Sequence, residues 1–169
     1  MIKFEHLLEI PFVHGTSDCF QLARAFYNDN FEIETPDFAY PQFWAETHPE
    51  LDLMRTNFRK LGFEPVDVNR RSIRPADLLL MNIGGQVVNH CAVYLTGGWF
   101  LHHPFREKSR KDLWAGSWFD QTMIVARHPE VRVLDERPTV DLLDLLPPAK
   151  RKMYRDALSF VRARGPDPA

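Results

Sequence analysis

Residues 17–24 read SDCFQLAR, and they place Cys19 in the first turn of an amphipathic helix. Thr16 and Ser17 are good N-cap residues, and apolar side chains follow at three- and four-residue spacing as far as about Asn28. A thiol at a helix N-terminus lies at the positive end of the helix dipole, which favours its thiolate form. Cys19 is therefore a candidate nucleophile, while the alternative for any single cysteine is a small buried hydrophobe.

Beyond residue 62 the hydrophobic period changes from that of helices to that of strands. A second helix is predicted after Pro49, with Gly62 as its C-cap. Strands are predicted over residues 77–83, 87–95, 99–103 and 117–127, with a further one over 131–134. Residues 84–85 (GG) and 96–98 (TGG) are turn signals. Because helices come first and an antiparallel meander follows, the predicted class is α+β.

The composition is that of an ordinary globular protein. The 169 residues are 44% hydrophobic and 26% charged, and the net charge of -2 provides no basic surface for nucleic acid. No apolar run has the length of about 18 residues that a membrane span needs, and the N-terminus lacks a signal-peptide pattern. We therefore expect a protein made in the cytoplasm without membrane insertion. Two cysteines without a metal-binding motif predict neither a disulfide framework nor a metal or cofactor.

His90 is the candidate partner of Cys19. It lies in the predicted strand 87–95, where alternate side chains share one face of the sheet. On this pattern His90 and Cys91 point to opposite faces. We therefore expect Cys91 to be a core thiol that cannot share a site with His90. A thiolate needs an imidazole to accept and return its proton, and that imidazole needs a third polar group to orient it.

A histidine on the next strand could supply this third group, and the hairpin register decides which one. A three-residue loop over residues 96–98 pairs Ala92 with His102, which then shares the face of His90. A two-residue loop pairs Ala92 with His103 instead, because a one-residue slip exchanges the two faces of a strand. The glycines of the loop favour His102, and His103 stays open as the alternative.

Four short motifs in this order resemble the NlpC family of papain-like cysteine peptidases. They are SDCFQL at 17–22, RPADL at 74–78, HCAVYL at 90–95 and WFLH at 99–102. They resemble, in turn, the family's Asp-Cys motif, its Pro-Gly-Asp motif before a strand, its His-x-x-x-Tyr-Leu strand and the strand that ends in the third catalytic residue. Ala76 takes the place of the glycine. The resemblance runs from about Pro11 to His128, and details such as Asn89 before the histidine are similar to its phage-tail branch, the minor tail protein K-like peptidases.

The resemblance implies a papain-like fold with N-terminal helices packed on an antiparallel sheet. It also implies roles for three residues, with Cys19 as nucleophile, His90 as general base and acid, and His102 as the orienting third member. The substrate and oxyanion environment is expected to include Asp18, Phe12 and His103. Many relatives carry a tyrosine where this sequence has Phe12, so hydrogen bonding from a hydroxyl at that position is lost.

The family cleaves peptide bonds in the stem peptides of bacterial cell walls, and its phage branch belongs to the tail tip or its assembly. The resemblance thus implies a peptidoglycan endopeptidase without a cofactor, located in a virion tail and acting at the host wall. Stem peptides and other tail-tip proteins would be its partners. Two alternatives stay open: a catalytically silent structural or assembly protein of the tail tip, and a wall amidase of the related CHAP type.

The sequence predicts two parts. Residues 1–137 form the NlpC-type domain, and residues 138–169 form a C-terminal helical extension whose helix runs from about Pro148 to Arg164. Such a helix either packs back on the domain or offers an apolar stripe to a partner. The phage-tail branch often has an N-terminal metallopeptidase-like domain, which we expect to be absent because only 18 residues precede Cys19.

Overall fold

The structure is a computed structural model that describes residues 2–132 and residue 150. The helices are α1 (Cys19–Phe31), α2 (Trp44–Thr47), α3 (Leu53–Asn57) and α4 (Ser117–Asp120), with 3-10 turns at Glu5–Leu7, Pro49–Leu51 and Phe58–Leu61. The strands are β1 (Glu64–Val66), β2 (Leu78–Met81), β3 (His90–Tyr94), β4 (Trp99–His102), β5 (Arg110–Leu113) and β6 (Thr122–Arg127). Among the helices of these residues, none has the length and apolar character that would let it cross a membrane.

The six strands form one sheet in the order β1-β6-β2-β3-β4-β5, and every neighbouring pair is antiparallel. Helix α1 packs against β3, near the middle of the sheet. The strands β2 to β5 follow one another along the chain, as a meander does. The predicted α+β class, with N-terminal helices on an antiparallel sheet, is confirmed.

Apolar side chains cover both faces of the sheet. On the α1 face, Phe26 and Tyr27 are buried in one cluster with Val93. On the other face, Phe100 and Trp114 belong to a second cluster. All four side chains of β2 are buried, which explains why that strand is a continuous apolar run rather than an alternating one.

The hairpin between β3 and β4 has the three-residue loop. The Leu95 N–H donates to the Trp99 carbonyl at 2.8 Å, and Ala92 pairs with His102. Gly97 and Gly98 both have positive φ, at 61° and 85°, a conformation that glycine adopts without the strain that a Cβ would cause. This register places His102 on the same face of the sheet as His90.

Helix α1 begins at Cys19 and its N-cap is Asp18, not Thr16 or Ser17 as predicted. The Ser17 hydroxyl donates to the Pro11 carbonyl at 2.8 Å instead. The Asp18 carboxylate accepts the N–H groups of Phe20 and Gln21, and it therefore caps the helix. The helix extends three residues beyond the predicted end, to Phe31.

Other boundaries also differ from the predictions. The segment predicted as one strand over 117–127 is α4 followed by β6, and β1 and β5 had not been predicted. The helix predicted after Pro49 is divided into three short pieces, and Asp52, with a φ of 35°, separates the first from the second. Residues 131–132 are not in a strand, while residues 133–134 lie outside the described residues. The predicted extension over 138–169 also lies outside them, apart from residue 150, and stays a prediction.

Candidate active site

Asp18 fixes the backbone around Cys19. Its Oδ1 accepts hydrogen bonds from the N–H groups of Phe20 and Gln21, both at 3.1 Å. Its Oδ2 accepts from the Gly15 N–H at 2.6 Å, and the whole side chain is buried. The thiol of the next residue is therefore presented from a well-ordered helix N-terminus.

The surroundings of Cys19 lower the pKa of its thiol well below the ordinary value. A hydrogen bond from Cys91 has the largest effect, and a hydrogen bond and the charge of His90 act in the same direction. Burial and the Asp18 carboxylate oppose them without outweighing them. The thiolate of Cys19 is thus favoured by its neighbours as well as by the helix N-terminus.

Cys91 is a buried core thiol, as expected. Cys91 does point to the α1 face, where it belongs to the same buried cluster as Cys19. However, Cys19 lies beside the strand, and both Cys91 and His90 affect the acidity of its thiol. The hydrogen bond to Cys19 and burial raise the pKa of the Cys91 thiol, which therefore stays protonated as the donor.

His90 is linked to a second histidine and then to a carboxylate. Its Nε2 lies 3.1 Å from His102 Nδ1, and His102 Nε2 lies 3.0 Å from Asp112 Oδ2. We call Cys19, His90, His102 and Asp112 the imidazole relay. Both histidines are buried, and the Trp118 ring lies 4.8 Å from the His102 ring, centroid to centroid. The relay is thus shielded from water on the side of Trp118.

The two members of the relay farthest from Cys19 have opposite protonation. Burial lowers the pKa of His102 to about 3, and the neighbouring His90 charge acts in the same direction against the hydrogen bond to Asp112. His102 is therefore neutral at ordinary pH. Burial raises the pKa of the Asp112 carboxyl, but the hydrogen bonds from Arg110 and His102 outweigh it and lower the pKa overall. Asp112 is therefore ionised.

The sequence had not indicated Asp112 or its partner Arg110. Arg110 Nε donates to Asp112 Oδ2 at 3.0 Å, and its guanidinium also forms an ion pair with Glu107. Both residues lie on β5, two positions apart, so they share one face of that strand. Recognising β5 as a strand beside β4 would have placed Asp112 near His102.

The relay borders a cleft with a volume of about 440 Å³. Cys19, His90, Phe12 and His103 all line it. The His103 ring packs edge-on against Phe12 at a centroid distance of 5.4 Å, and its Nε2 lies 3.1 Å from the Glu107 carbonyl oxygen. The structure thus brings His102 to His90 and places His103 in the cleft wall, where burial lowers its pKa.

Tyr40 supplies a hydroxyl that Phe12 lacks. It lies in the segment after α1 and lines the same cleft. Its hydroxyl donates to Asp18 Oδ2 at 2.6 Å, and burial together with this carboxylate raises the pKa of the phenol. No local signal in the sequence pointed to Tyr40, because only the path of an irregular segment brings it to the site.

The chain is similar to proteins of a known family. The model of the NlpC/P60 family matches residues 9–128. Tail tip assembly protein K of Escherichia phage N15 is 30% identical over 128 residues, which are 75% of this chain and 51% of that protein. Tail tip assembly protein K of Escherichia phage lambda is 32% identical over 123 residues, 73% of this chain and 59% of that protein. The chain thus spans a little over half the length of these curated relatives.

Solved structures that resemble the chain include an NLP/P60 family protein from Staphylococcus aureus, similar to lipoprotein, with 22% identity and a TM-score of 0.46. That match covers 72% of this chain and 37% of the other. The NlpC/p60 domain of the peptidoglycan hydrolase SagA has 20% identity and a TM-score of 0.46, over 72% of this chain and 90% of the other. Because the family model matches most of the sequence, from the segment before Cys19 to the end of β6, this chain belongs to the NlpC/P60 family.

Proposed function

We propose that this chain is a cysteine endopeptidase that cleaves the stem peptides of peptidoglycan, as a component of a phage tail tip or of its assembly. The observation that carries the proposal is the imidazole relay beside an open cleft. Its thiol has a lowered pKa, and its base is oriented by a buried hydrogen bond. A nucleophile, a base and an orienting group in contact are the arrangement that acyl transfer by a thiol needs.

The reaction begins when the Cys19 sulfur attacks the carbonyl carbon of a peptide bond in the cleft. A tetrahedral intermediate forms, and His90 gives the proton that it took from the thiol to the leaving amine. The C–N bond breaks and the acyl group stays on the sulfur. A water molecule, deprotonated by His90, then attacks the thioester and releases the acid together with the free thiol.

The helix N-terminus provides a donor for the oxyanion. Two of its free N–H groups, those of Phe20 and Gln21, are occupied by Asp18. The N–H of Cys19 has no acceptor among residues 2–132 and 150, so it is available to a substrate oxygen. A backbone donor beside the developing charge lowers the barrier without reorganisation of the protein.

The proposed substrate, the stem peptide, and the proposed location, the phage tail, are inferred from the relatives. The family includes SagA, described as a peptidoglycan hydrolase, and the curated relatives are named tail tip assembly proteins. The cleft also suits a short peptide. Its mouth carries the exposed rings of Phe43 and Phe105, 5.8 Å apart, which offer apolar surface to the aliphatic parts of a substrate.

The test is digestion of defined muropeptides by the purified protein, followed by mass spectrometry of the products. The wild type is expected to cut within the stem peptide, and Cys19→Ala is expected to be inactive. A cut between the glycan and the first amino acid would instead identify an amidase. No cleavage by the wild type of any of several stem-peptide types would contradict the proposed activity.

A second candidate function is a catalytically silent assembly role, favoured by the names of the two phage relatives. It predicts that Cys19→Ala is incorporated into tails and supports infection as well as the wild type does. The endopeptidase proposal predicts that tails with Cys19→Ala assemble but deliver DNA poorly through an intact wall. Infection assays on phage that carry either form separate the two roles.

A further inference from the structure

Asp112 is the last member of the imidazole relay, at the end far from Cys19. Its Oδ2 accepts from two donors, His102 Nε2 and Arg110 Nε, each at 3.0 Å. An ionised carboxylate has only lone pairs to offer, so each of these nitrogens must bring the hydrogen. The proton of His102 is therefore on Nε2.

The position of this proton determines the protonation of His90. His102 is neutral, and a neutral imidazole with its proton on Nε2 has a lone pair on Nδ1. His90 Nε2 faces this Nδ1 at 3.1 Å, so it must donate. Nδ1 of a neutral His90 is then unprotonated, and it is the ring nitrogen left for the thiol of Cys19.

We propose that Asp112 is a positioning residue that sets the tautomers of both histidines, so that His90 can accept the proton of Cys19. The inference rests on the proposed function, because it concerns the same site. In this step the S–H bond breaks, the sulfur keeps the electron pair, and the proton moves to His90 Nδ1. The Nε2–H of His90 stays bonded to His102, and the Nδ1 proton later moves to the nitrogen of the leaving amine.

The opposite tautomer of His102 would block proton transfer from Cys19 to His90. If His102 carried its proton on Nδ1, it would donate to His90 Nε2, and neutral His90 would then carry its own proton on Nδ1. A protonated Nδ1 cannot take a proton from the thiol. Arg110 supports the productive arrangement, since it binds the same carboxylate oxygen and forms an ion pair with Glu107 on its other side.

The direct test is nitrogen-15 NMR of the histidine rings in Cys19→Ala protein, which lacks the thiol that would protonate His90. Near pH 8, both His90 and His102 are expected to show a protonated Nε2 and an unprotonated Nδ1. Adding Asp112→Ala is expected to shift both rings toward a protonated Nδ1. A protonated Nδ1 on His90 while Asp112 is present overturns the inference, even if the Asp112 variant does not fold. Unchanged tautomers of His90 and His102 in a folded Asp112→Ala protein also overturn the inference.

Kinetics in the protein with Cys19 intact supply the second readout. Asp112→Ala is expected to slow alkylation of Cys19 by iodoacetamide, and cleavage of stem peptides, by about 10- to 100-fold. The matched control is Lys111→Ala, which removes an exposed charge from the same strand and leaves both rates at the wild-type value. Equal alkylation rates for Asp112→Ala and the wild type contradict the inference. Because tautomers and alkylation need no substrate, they test it even if no stem peptide is cleaved.

Discussion

Cys19 and Cys91 are two buried thiols of opposite acidity in contact with each other. The donor Cys91 stabilises the thiolate of Cys19, whose pKa is lowered, while the pKa of Cys91 is raised. We expect iodoacetamide near pH 7 to alkylate Cys19 and to leave Cys91 unmodified, because only a thiolate reacts. The alkylation rate falls only as the pH drops through the lowered pKa of Cys19, below the value of about 8.5 for a free cysteine. Peptide mapping by mass spectrometry measures both sites.

The variant Cys91→Ala tests the contact between the thiols. It removes the hydrogen bond that most lowers the pKa of Cys19. The pH at which the alkylation rate of Cys19 rises is therefore expected to be higher. A profile that does not move would show that Cys91 has no part in stabilising the thiolate. Preferential alkylation of Cys91 in the wild type would contradict the acidities assigned to both residues.

His102 makes folding sensitive to mild acid. The pKa of His102 is about 3 in the folded state, whereas the ordinary value of 6.5 applies to the unfolded chain. At a pH between these two values, the unfolded chain therefore binds a proton at His102 that the folded chain does not bind. Stability is therefore lost as the pH falls from 6.5 toward 3, by at most about 1.4 kcal/mol per pH unit from this group. Urea unfolding at several pH values measures the slope. His102→Gln, which cannot titrate, is expected to have a shallower one, and an equal slope would contradict the assignment.

Helix α1 depends on one N-cap residue. Asp18→Ala removes the acceptor of three backbone N–H groups and of the Tyr40 hydroxyl, so we expect a loss of about 1–3 kcal/mol in the free energy of unfolding. Ser17→Ala is the matched control, because it removes a hydroxyl whose only described bond is an exposed one to Pro11. Urea unfolding compares the two. A larger loss from Ser17→Ala would mean that the helix is capped by the serine.

Elements with strong local signals could be predicted from the sequence. Helix α1 follows from its apolar spacing, and the β3–β4 register follows from Gly97 and Gly98, which permit the three-residue loop. Strand β5 could not be predicted, because RKDL has a polar residue on each face and only the neighbouring β4 makes it a strand. Asp112 was missed for the same reason. Local patterns thus indicated the first three members of the relay, and pairing between strands supplied the fourth.

In the molecule as a whole, a buried ion pair joins β6 to the segment before β2. The Arg127 guanidinium binds both carboxylate oxygens of Asp77, at 2.7 and 2.8 Å, and Asp77 is only 1% exposed. Arg127→Leu leaves this buried carboxylate without its ionic partner and with the Arg74 N–H as its remaining donor, at an expected cost of about 3 kcal/mol. Arg55→Ala, which breaks a pair between an exposed arginine and the half-buried Asp52, is expected to cost about 1 kcal/mol or less. Thermal and urea unfolding compare them, and equal losses would contradict the role given to Asp77.

The contact of Cys19 with Cys91 shows where prediction from sequence ended. Strand periodicity assigned the faces of His90 and Cys91 correctly, but it did not predict that Cys91 affects the acidity of Cys19. The docking of α1 against β3 brings the Cys19 thiol within reach of both side chains. Such docking depends on the packing of many apolar side chains across the sheet, and no short motif encodes it.

The central claim is that Cys19 acts as a nucleophile on a peptide bond, and intact-protein mass spectrometry of a reaction stopped by acid tests it most directly. With a stem peptide as substrate, the wild type is expected to gain the mass of the acyl fragment, and the adduct is expected to map to Cys19. Cys19→Ala is expected to gain no mass and to release no product. Product release without an adduct, and at an undiminished rate in Cys19→Ala, would contradict the account.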